Sequence, residues 1–423
     1  MRSEMYEKAD RNVIVDVRKE KTQKKHIAVA VTNDLLTDQR VDRTCRTLAE
    51  AGYRVTLVGR RFRNSRTLPE REYRTNRMQL IFTKSALFYF EYNFRLFLRL
   101  LRLRPDAVWA NDTDTLLACT LAARLLRRPL MFDAHELFPE VPELVGRPRV
   151  KAVWQWIERK CLPHVKVAYT VCQSVAEEYQ RRYGVEMHVV RNLQSGYSGS
   201  TQPPVGKADN IHNSVEHTEI LPSSYSDHDG QSILLYQGAV NVGRGVREAI
   251  DALEWLPEYR LVVAGDGDQR KELQAYAATL PWGERVTFTG RVEPQALHEI
   301  TKSADLGLCL LEDLGLNYRY SLPNRVGDFI RAGVPLLATD FVEIRRVTEA
   351  YGTGALTEAC PREKNGTEYR AYVRRLAEKI DETLKTWREM PASEREARFD
   401  RARRELCWEE EKKRLLAPLD TIF

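Results

Sequence analysis

Twice along this chain, short β-rich runs alternate with stretches of helical periodicity, and a segment with no periodicity separates the two series. Strands joined through helices must run parallel, because each crossover returns the chain to the same end of the sheet. In the first series HIAVAVTN reads as a strand. Thr37 to Ala51 places Val41, Cys45, Leu48 and Ala49 at helical spacing, and AGYRVTLVGR supplies a turn and a second strand. Further strands are expected at Met78–Phe82, Ala107–Ala110, Leu130–Asp133, Lys166–Val171 and Met187–Val190. The second series runs through SILLYQGAV, YRLVVAGDGD, RVTFTG, ADLGLCLL and VPLLATD. The pattern predicts two Rossmann-like, doubly wound parallel-sheet domains facing a cleft, over 26–194 and 231–400. A polar extension (1–25) precedes them, a Ser/Gly/Pro-rich linker (195–230) joins them, and a charged helical segment (401–423) follows.

Composition narrows the class. At 423 residues with 43% hydrophobic and 30% charged residues, the chain can bury two ordinary cores. The seven cysteines form no C-x-x-C pair, which argues against a disulfide framework and a zinc site and fits a reducing cytosol. No signal-peptide run and no apolar stretch of spanning length is present, so neither export nor a membrane span is expected. Residues 1–195 carry 36 Lys/Arg against 23 Asp/Glu, a net +13, whereas the remainder is −7. A basic front half suits an anionic partner. Nucleic acid is the least favoured, because no nucleic-acid module is recognisable.

Candidate chemistry falls at the carboxyl ends of strands. YQGAVNVGRGVREAIDAL places Gly238, Gly243, Arg244 and Gly245 between a strand and a helix. Backbone N–H groups of such a loop can approach phosphate oxygens, and an arginine adds a charge-assisted contact; a plain βα turn with a surface arginine gives the same spacing. In EDLGLNYRYSLPNRVGDFIRAG, residues Ser321, Leu322, Pro323 and Asn324 form the mouth of a helix. Arg325 lies in its first turn and Asp328 one turn on, either as phosphate and ribose contacts or as an exposed ion pair. GDGD (Gly265, Asp266, Gly267) reads first as a tight turn.

The first series offers three polar clusters at three strand ends: Asn33, Asp38 and Arg40 in TNDLLTDQR, Asn111, Asp112 and Asp114 in WANDTDT, and His135 in DAHE. Three such clusters point to one cleft. His212, His217 and His228 fall in the linker and read as solvated loop rather than metal ligands. The helix Leu87–Pro105 combines Phe90, Phe94, Phe97, Leu98 and Leu101 on one face with Arg95, Arg99 and Arg102 on another. Such a helix suits peripheral contact with an anionic membrane or packing on its own domain.

With TDQR, ANDTDT, DAHELFPE, YQGAVNVGRG, GDGD and LGLNYRYSLPN in view, the chain resembles the retaining glycosyltransferases of family 4, a GT-B fold, in a bacterial branch, over about 26–193 and 231–350. The resemblance implies transfer of a sugar from a nucleotide diphosphate-sugar to a glycan, lipid-linked or small-molecule acceptor, with no cofactor and no metal required. It implies that Arg244 binds the donor diphosphate, that Asp328 holds the ribose and that Leu322 and Asn324 offer N–H groups beside Pro323, which has none. Arg291 falls near the base, His135 near the transferred sugar, and the C-terminal helix crosses back onto the first domain. Gly238 is followed by Ala239 where the family has an arginine, which makes Arg325 or Arg319 the candidate replacement. Tyr320 stands where the family has the first Glu of its E-x7-E element, leaving Glu312 as the nearest candidate. NDLLTDQR replaces the glycine-rich acceptor loop. Two alternatives stand beside this reading: a non-hydrolysing sugar-nucleotide epimerase on the same fold and, suggested by these departures, a non-catalytic partner protein that keeps the fold.

Overall fold

The structure, a computed structural model, describes residues 24–36, 38–63, 65–144, 146–195 and 230–423. The N-terminal extension and nearly all of the expected linker, with its three histidines, lie outside the described residues.

The first domain is built from β1 (His26–Asp34), α1 (Gln39–Glu50), β2 (Arg54–Arg61), β3 (Arg74–Gln79), α2 (Ser85–Leu103), β4 (Ala107–Asn111), α3 (Thr113–Leu126), β5 (Leu130–Ala134), α4 (Pro148–Cys161), β6 (Val165–Thr170), α5 (Gln173–Tyr183) and the short β7 (His188–Val189). Its strand order is β3-β2-β1-β4-β5-β6-β7. The second domain contains β8 (Ser232–Gln237), α6 (Val246–Ala252), β9 (Tyr259–Ala264), α7 (Arg270–Ala278), β10 (Val286–Gly290), α8 (Pro294–Lys302), β11 (Leu306–Cys309), α9 (Leu316–Arg319), α10 (Asn324–Ala332), β12 (Leu336–Thr339), α11 (Val342–Tyr351) and β13 (Gly354–Thr357). Its order is β10-β9-β8-β11-β12-β13. Every pairing between these strands is parallel. Each sheet therefore reverses its winding once, between β1 and β4 and between β8 and β11, and a crevice opens at each reversal.

Central strands buried on both faces read as continuous apolar runs, which is why β1, β4, β5 and β8 were legible. The edge was not. The apolar run Met78–Phe82 suggested a strand, but β3 is Arg74–Gln79, a polar strand paired only with β2. Ile81 and Phe82 have left the sheet, and their N–H groups donate to the Glu91 carboxylate on α2 at 2.8–3.0 Å. The strand β13 was missed, because four residues beyond a helix leave too short a pattern. In α2 the buried face is Phe88, Glu91, Tyr92, Leu96 and Leu100, and the expected face of Phe90, Phe94 and Phe97 lies beside it. Leu87, Phe90 and Phe94 point to solvent, at 54%, 72% and 56% exposure, whereas Phe97 packs on the core.

Three helices end the chain: α12 (Gly366–Glu389), α13 (Ala392–Glu405) and α14 (Trp408–Leu416). α13 packs on α10 and α11, within the second domain. The chain then crosses: Trp408 donates its N–H to the Gln194 carbonyl and its indole N–H to Thr47, while Leu415 and Leu419 join the first-domain core. No helix among the described residues is long and apolar enough to cross a membrane.

Candidate active site

The two crevices face each other across a cleft of about 530 Å³, lined from both domains by residues that include Asn33, Arg40, His135, Arg244, Leu322 and Asn324.

On the second-domain side, the turn after β8 is held open by glycines whose replacement the backbone forbids. A Cβ on Gly265 would lie 1.8 Å from the Gly238 carbonyl oxygen. Gly243 sits at φ +79° with Leu314 2.4 Å from where its Cβ would be, and its carbonyl accepts from the Glu312 N–H at 3.1 Å. This pins the loop at the β8/β11 reversal. Glu312 takes part by its backbone: its carboxylate pairs with Lys364 at 2.6 Å, away from the cleft lining. Arg291 is exposed beyond β10, also outside the lining.

Two guanidinium groups converge on this loop. Arg244 stacks over the Tyr318 ring at 5.0 Å, and its buried Nε has no hydrogen-bond partner among the described residues. Arg325, from the first turn of α10, stacks over Tyr236 at 4.3 Å and donates to its hydroxyl at 3.1 Å. Its Nη2 comes within 3.4 Å of where a Gly238 Cβ would stand, and its Nη1 has no partner. Arg40 and Arg325 are the buried arginines among the described residues. Arg40 is neutralised by Asp133 at 2.7 and 3.1 Å, but among the described residues no carboxylate lies within ion-pair distance of Arg325. A buried charge without a counter-ion is costly, and an anion in the cleft would relieve that cost. Arg319, the other candidate replacement, is taken by Asp313 at 2.6 Å.

The mouth of α10 adds to this field. Pro323 caps it at φ −62°, and the Asn324 and Arg325 N–H groups, in the first turn, lack partners within the helix. Further along α10, the Asp328 carboxylate accepts from Gln237 Nε2 at 3.0 Å and from Gln194 Nε2 at 3.3 Å. Burial raises its pKa. Sequence reasoning missed both glutamines, since an amide at a strand end carries no motif of its own.

On the first-domain side, His135 follows β5 between two carboxylates. Its Nδ1 is 3.3 Å from Asp112, and its Nε2 is 3.4 Å from Asp133 and 3.2 Å from the Asn111 amide oxygen. Asp112, at φ 56°, also accepts from the His135 N–H at 2.8 Å. Burial alone would lower the imidazole pKa, but Asp112 and Asp133 outweigh it and lift it to about 9. The two carboxylates therefore favour the imidazolium form of His135. Asp38 caps α1, accepting from the Val41 N–H and from Asn33. Arg40 reaches past the cap to clamp Asp133, so it acts on His135 through that carboxylate. Asp112 and Asp114 diverge, because Asp114 accepts from Thr32 at 2.6 Å.

Asn317 joins the halves. Its amide oxygen accepts from the Leu137 N–H at 3.0 Å, and its amide nitrogen donates to Glu136 at 3.1 Å. The residue lies inside the LGLNYRY motif, but the partner across the cleft is set by the docking of the two domains.

Comparison with known proteins decides the family. Residues 38–193 match the model for Glycosyltransferase Family 4, and residues 218–399 match that for Glycosyl transferases group 1. The chain belongs to the glycosyltransferases of the GT-B fold. No curated protein sequence matches it significantly. Among solved structures it is similar to sucrose-phosphate synthase from Thermosynechococcus elongatus, with TM-score 0.71 and 16% identity over 95% of this chain and 99% of that one. It is also similar to Anabaena HepE in complex with UDP, with TM-score 0.65 and 13% identity over 94% and 100%. A glycosyltransferase from Rickettsia africae gives TM-score 0.67 and 12% identity over 95% and 99%. At these identities the structural likeness speaks for the GT-B fold, two parallel-sheet domains about a cleft.

Proposed function

We propose that this glycosyltransferase transfers a sugar from a nucleoside diphosphate to an acceptor hydroxyl with retention of configuration. The observation that carries the reading is Arg325, buried without a carboxylate beside Gly238. The donor diphosphate would lie between Arg325, Arg244 and the α10 N–H groups, and Asp328 would take the ribose hydroxyls in exchange for its glutamine contacts. The bond between the anomeric carbon and the phosphate oxygen breaks as the acceptor oxygen bonds to that carbon, and the acceptor's proton passes to the departing phosphate oxygen. Charge developing on the diphosphate meets fixed cations and N–H dipoles, the preorganised stabilisation that makes such transfer fast. His135 contributes as a cation ion-paired with Asp112 and Asp133 and not as a base. Arg325 stands in for the arginine that Ala239 displaces.

Binding of a nucleoside diphosphate in one similar fold, HepE with UDP, supports a donor of this class. The test is a thermal-shift panel of UDP, GDP, ADP, CMP and their sugar conjugates, with EDTA present, on wild type, Arg244→Ala and Asp328→Ala. One base family should stabilise wild type and lose its effect in both variants. Ligand at about 100 Kd contributes roughly 2.7 kcal/mol, readily measured. If no nucleotide stabilises wild type, the donor assignment fails. The anomeric configuration of the product, read by NMR, checks retention.

A further inference from the structure

The first-domain half of the cleft differs in charge from the donor half. Two cations line it, and both are already paired. Arg40 donates Nε and Nη2 to Asp133 and Nη1 to the Val190 carbonyl, and His135 lies between Asp112 and Asp133. Arg43, which does not line the cleft, donates to Asn192 and stacks over Trp408. Two carboxylates also line this half, Asp38 and Glu136, and neither forms an ion pair among the described residues. The uncharged amides of Asn33, Gln39 and Asn192 stand around them, and Asn317 reaches across from the donor domain. With Arg244 and Arg325 given to the diphosphate, an anionic acceptor would meet carboxylates here and no cation free to receive it. Specificity built this way works by repelling the wrong charge as much as by holding the right ligand.

Of the two carboxylates, Glu136 has an oxygen to offer. Asp38 uses both of its oxygens within its own domain, accepting from the Val41 N–H and from Asn33. Glu136 directly follows His135, and Asn317 Nδ2 donates to its Oε2 at 3.1 Å, while its Oε1 has no hydrogen-bond partner among the described residues. Because Asn317 also accepts from the Leu137 N–H, the donor domain holds this segment in place from across the cleft. Asp112 and Glu143 add negative potential around Glu136 and His135 opposes them; burial first, then Asp112, pushes its carboxyl up to about 7. Near neutral pH such a group accepts a hydrogen bond in its ionised form and donates one in its protonated form. A hydroxyl can partner either form, whereas an anion has no proton to give the carboxylate and an ammonium no lone pair to receive from the acid.

We propose that the acceptor is a neutral polyhydroxylated sugar, and that Glu136 selects it by accepting a hydrogen bond from one of its hydroxyls. This rests on the glycosyltransferase reading, since it names the acceptor for that same cleft. In the test, the nucleotide that stabilises the protein fills the donor site, so that phosphates cannot occupy it. Binding of the methyl glycosides of glucose, galactose and mannose is then titrated by saturation-transfer NMR, beside the 6-phosphates of the same sugars and glucosamine. At least one methyl glycoside should bind the wild type, at least tenfold more tightly than the matching phosphate. Glu136→Ala should weaken that glycoside at least tenfold and leave the sugar phosphate no weaker, because the carboxylate that repels it has gone. The nucleotide thermal shift, kept in the variant, shows that it is folded. Glu136→Gln, which keeps the side-chain shape, should narrow the preference for glycoside over phosphate at least threefold, and it decides the matter where the alanine variant does not fold. A Glu136 that merely latched the domains through Asn317 would weaken both ligands alike, and that result overturns the proposal. So does a wild type that binds no methyl glycoside, binds the phosphate equally well, or prefers glucosamine tenfold. Absence of a nucleotide shift in the wild type sinks the donor assignment on which the proposal rests, whereas a shift without glycoside binding sinks the acceptor alone.

Discussion

Replacing Arg325 by methionine separates a binding arginine from a structural one, because a binding role costs nucleotide affinity whereas a structural role costs the stability of the unliganded protein. Methionine keeps most of the stem length but carries no charge. In the unliganded protein the change removes one cation–π contact with Tyr236 and one hydrogen bond to its hydroxyl. It also removes the desolvation cost of a 7%-exposed guanidinium that has no carboxylate within ion-pair distance among the described residues, Asp328 attracting it only from further off. The lost contacts amount to about 2–4 kcal/mol, and the relieved desolvation is of the same order or larger. The unliganded variant should therefore melt within about 2 kcal/mol of wild type, on either side. Binding should suffer much more. One charge-assisted hydrogen bond to a diphosphate oxygen contributes about 2 kcal/mol, or about thirtyfold in affinity. At a nucleotide concentration of about 100 wild-type Kd, ligand stabilisation should fall from about 2.7 to about 0.9 kcal/mol. The assay is thermal or chemical unfolding with and without nucleotide. A variant that loses several kcal/mol unliganded yet keeps the full nucleotide shift would refute the assignment and make Arg325 a structural residue.

Two further outcomes follow from the same geometry. Gly265→Ala drives a Cβ into the Gly238 carbonyl at 1.8 Å, backbone against backbone. It should cost about 1–3 kcal/mol in denaturant unfolding and weaken nucleotide binding too; a variant with wild-type stability and affinity contradicts the clamped loop. The imidazole of His135 has its folded pKa raised to about 9, above the unfolded value of about 6.5. Its contribution, at most about 3 kcal/mol, is thus complete below about pH 6.5 and lost as pH rises through about 9. Unfolding free energies from pH 6 to 9.5 should converge between wild type and His135→Asn; a pH-independent gap would show that His135 is not an imidazolium.

The sequence by itself determined the two parallel sheets, because central strands covered on both faces leave apolar runs and the helices between them leave 3.6-residue periodicity. It also placed the polar clusters at strand ends, where a doubly wound sheet opens; of Arg244, Arg325 and Asp328, only Arg244 lines the cleft, and the other two lie behind it on α10. Local pattern failed wherever a residue's environment came from distant chain. Helical spacing does not say which stripe of α2 meets the sheet, so its two orientations stayed open; Phe88 and Tyr92 took that place, leaving Phe90 and Phe94 in solvent. That Arg40 has a carboxylate within ion-pair distance, while Arg325 has none among the described residues, is equally invisible in the sequence. Asp133 lies 93 residues from Arg40, and only the packing of α1 on the sheet brings it there. The grip of Asn317 on Glu136 and Leu137 likewise spans about 180 residues and exists only because the domains dock. Charge pairing depends on distances of a few ångströms, and those were decided by the tertiary structure alone.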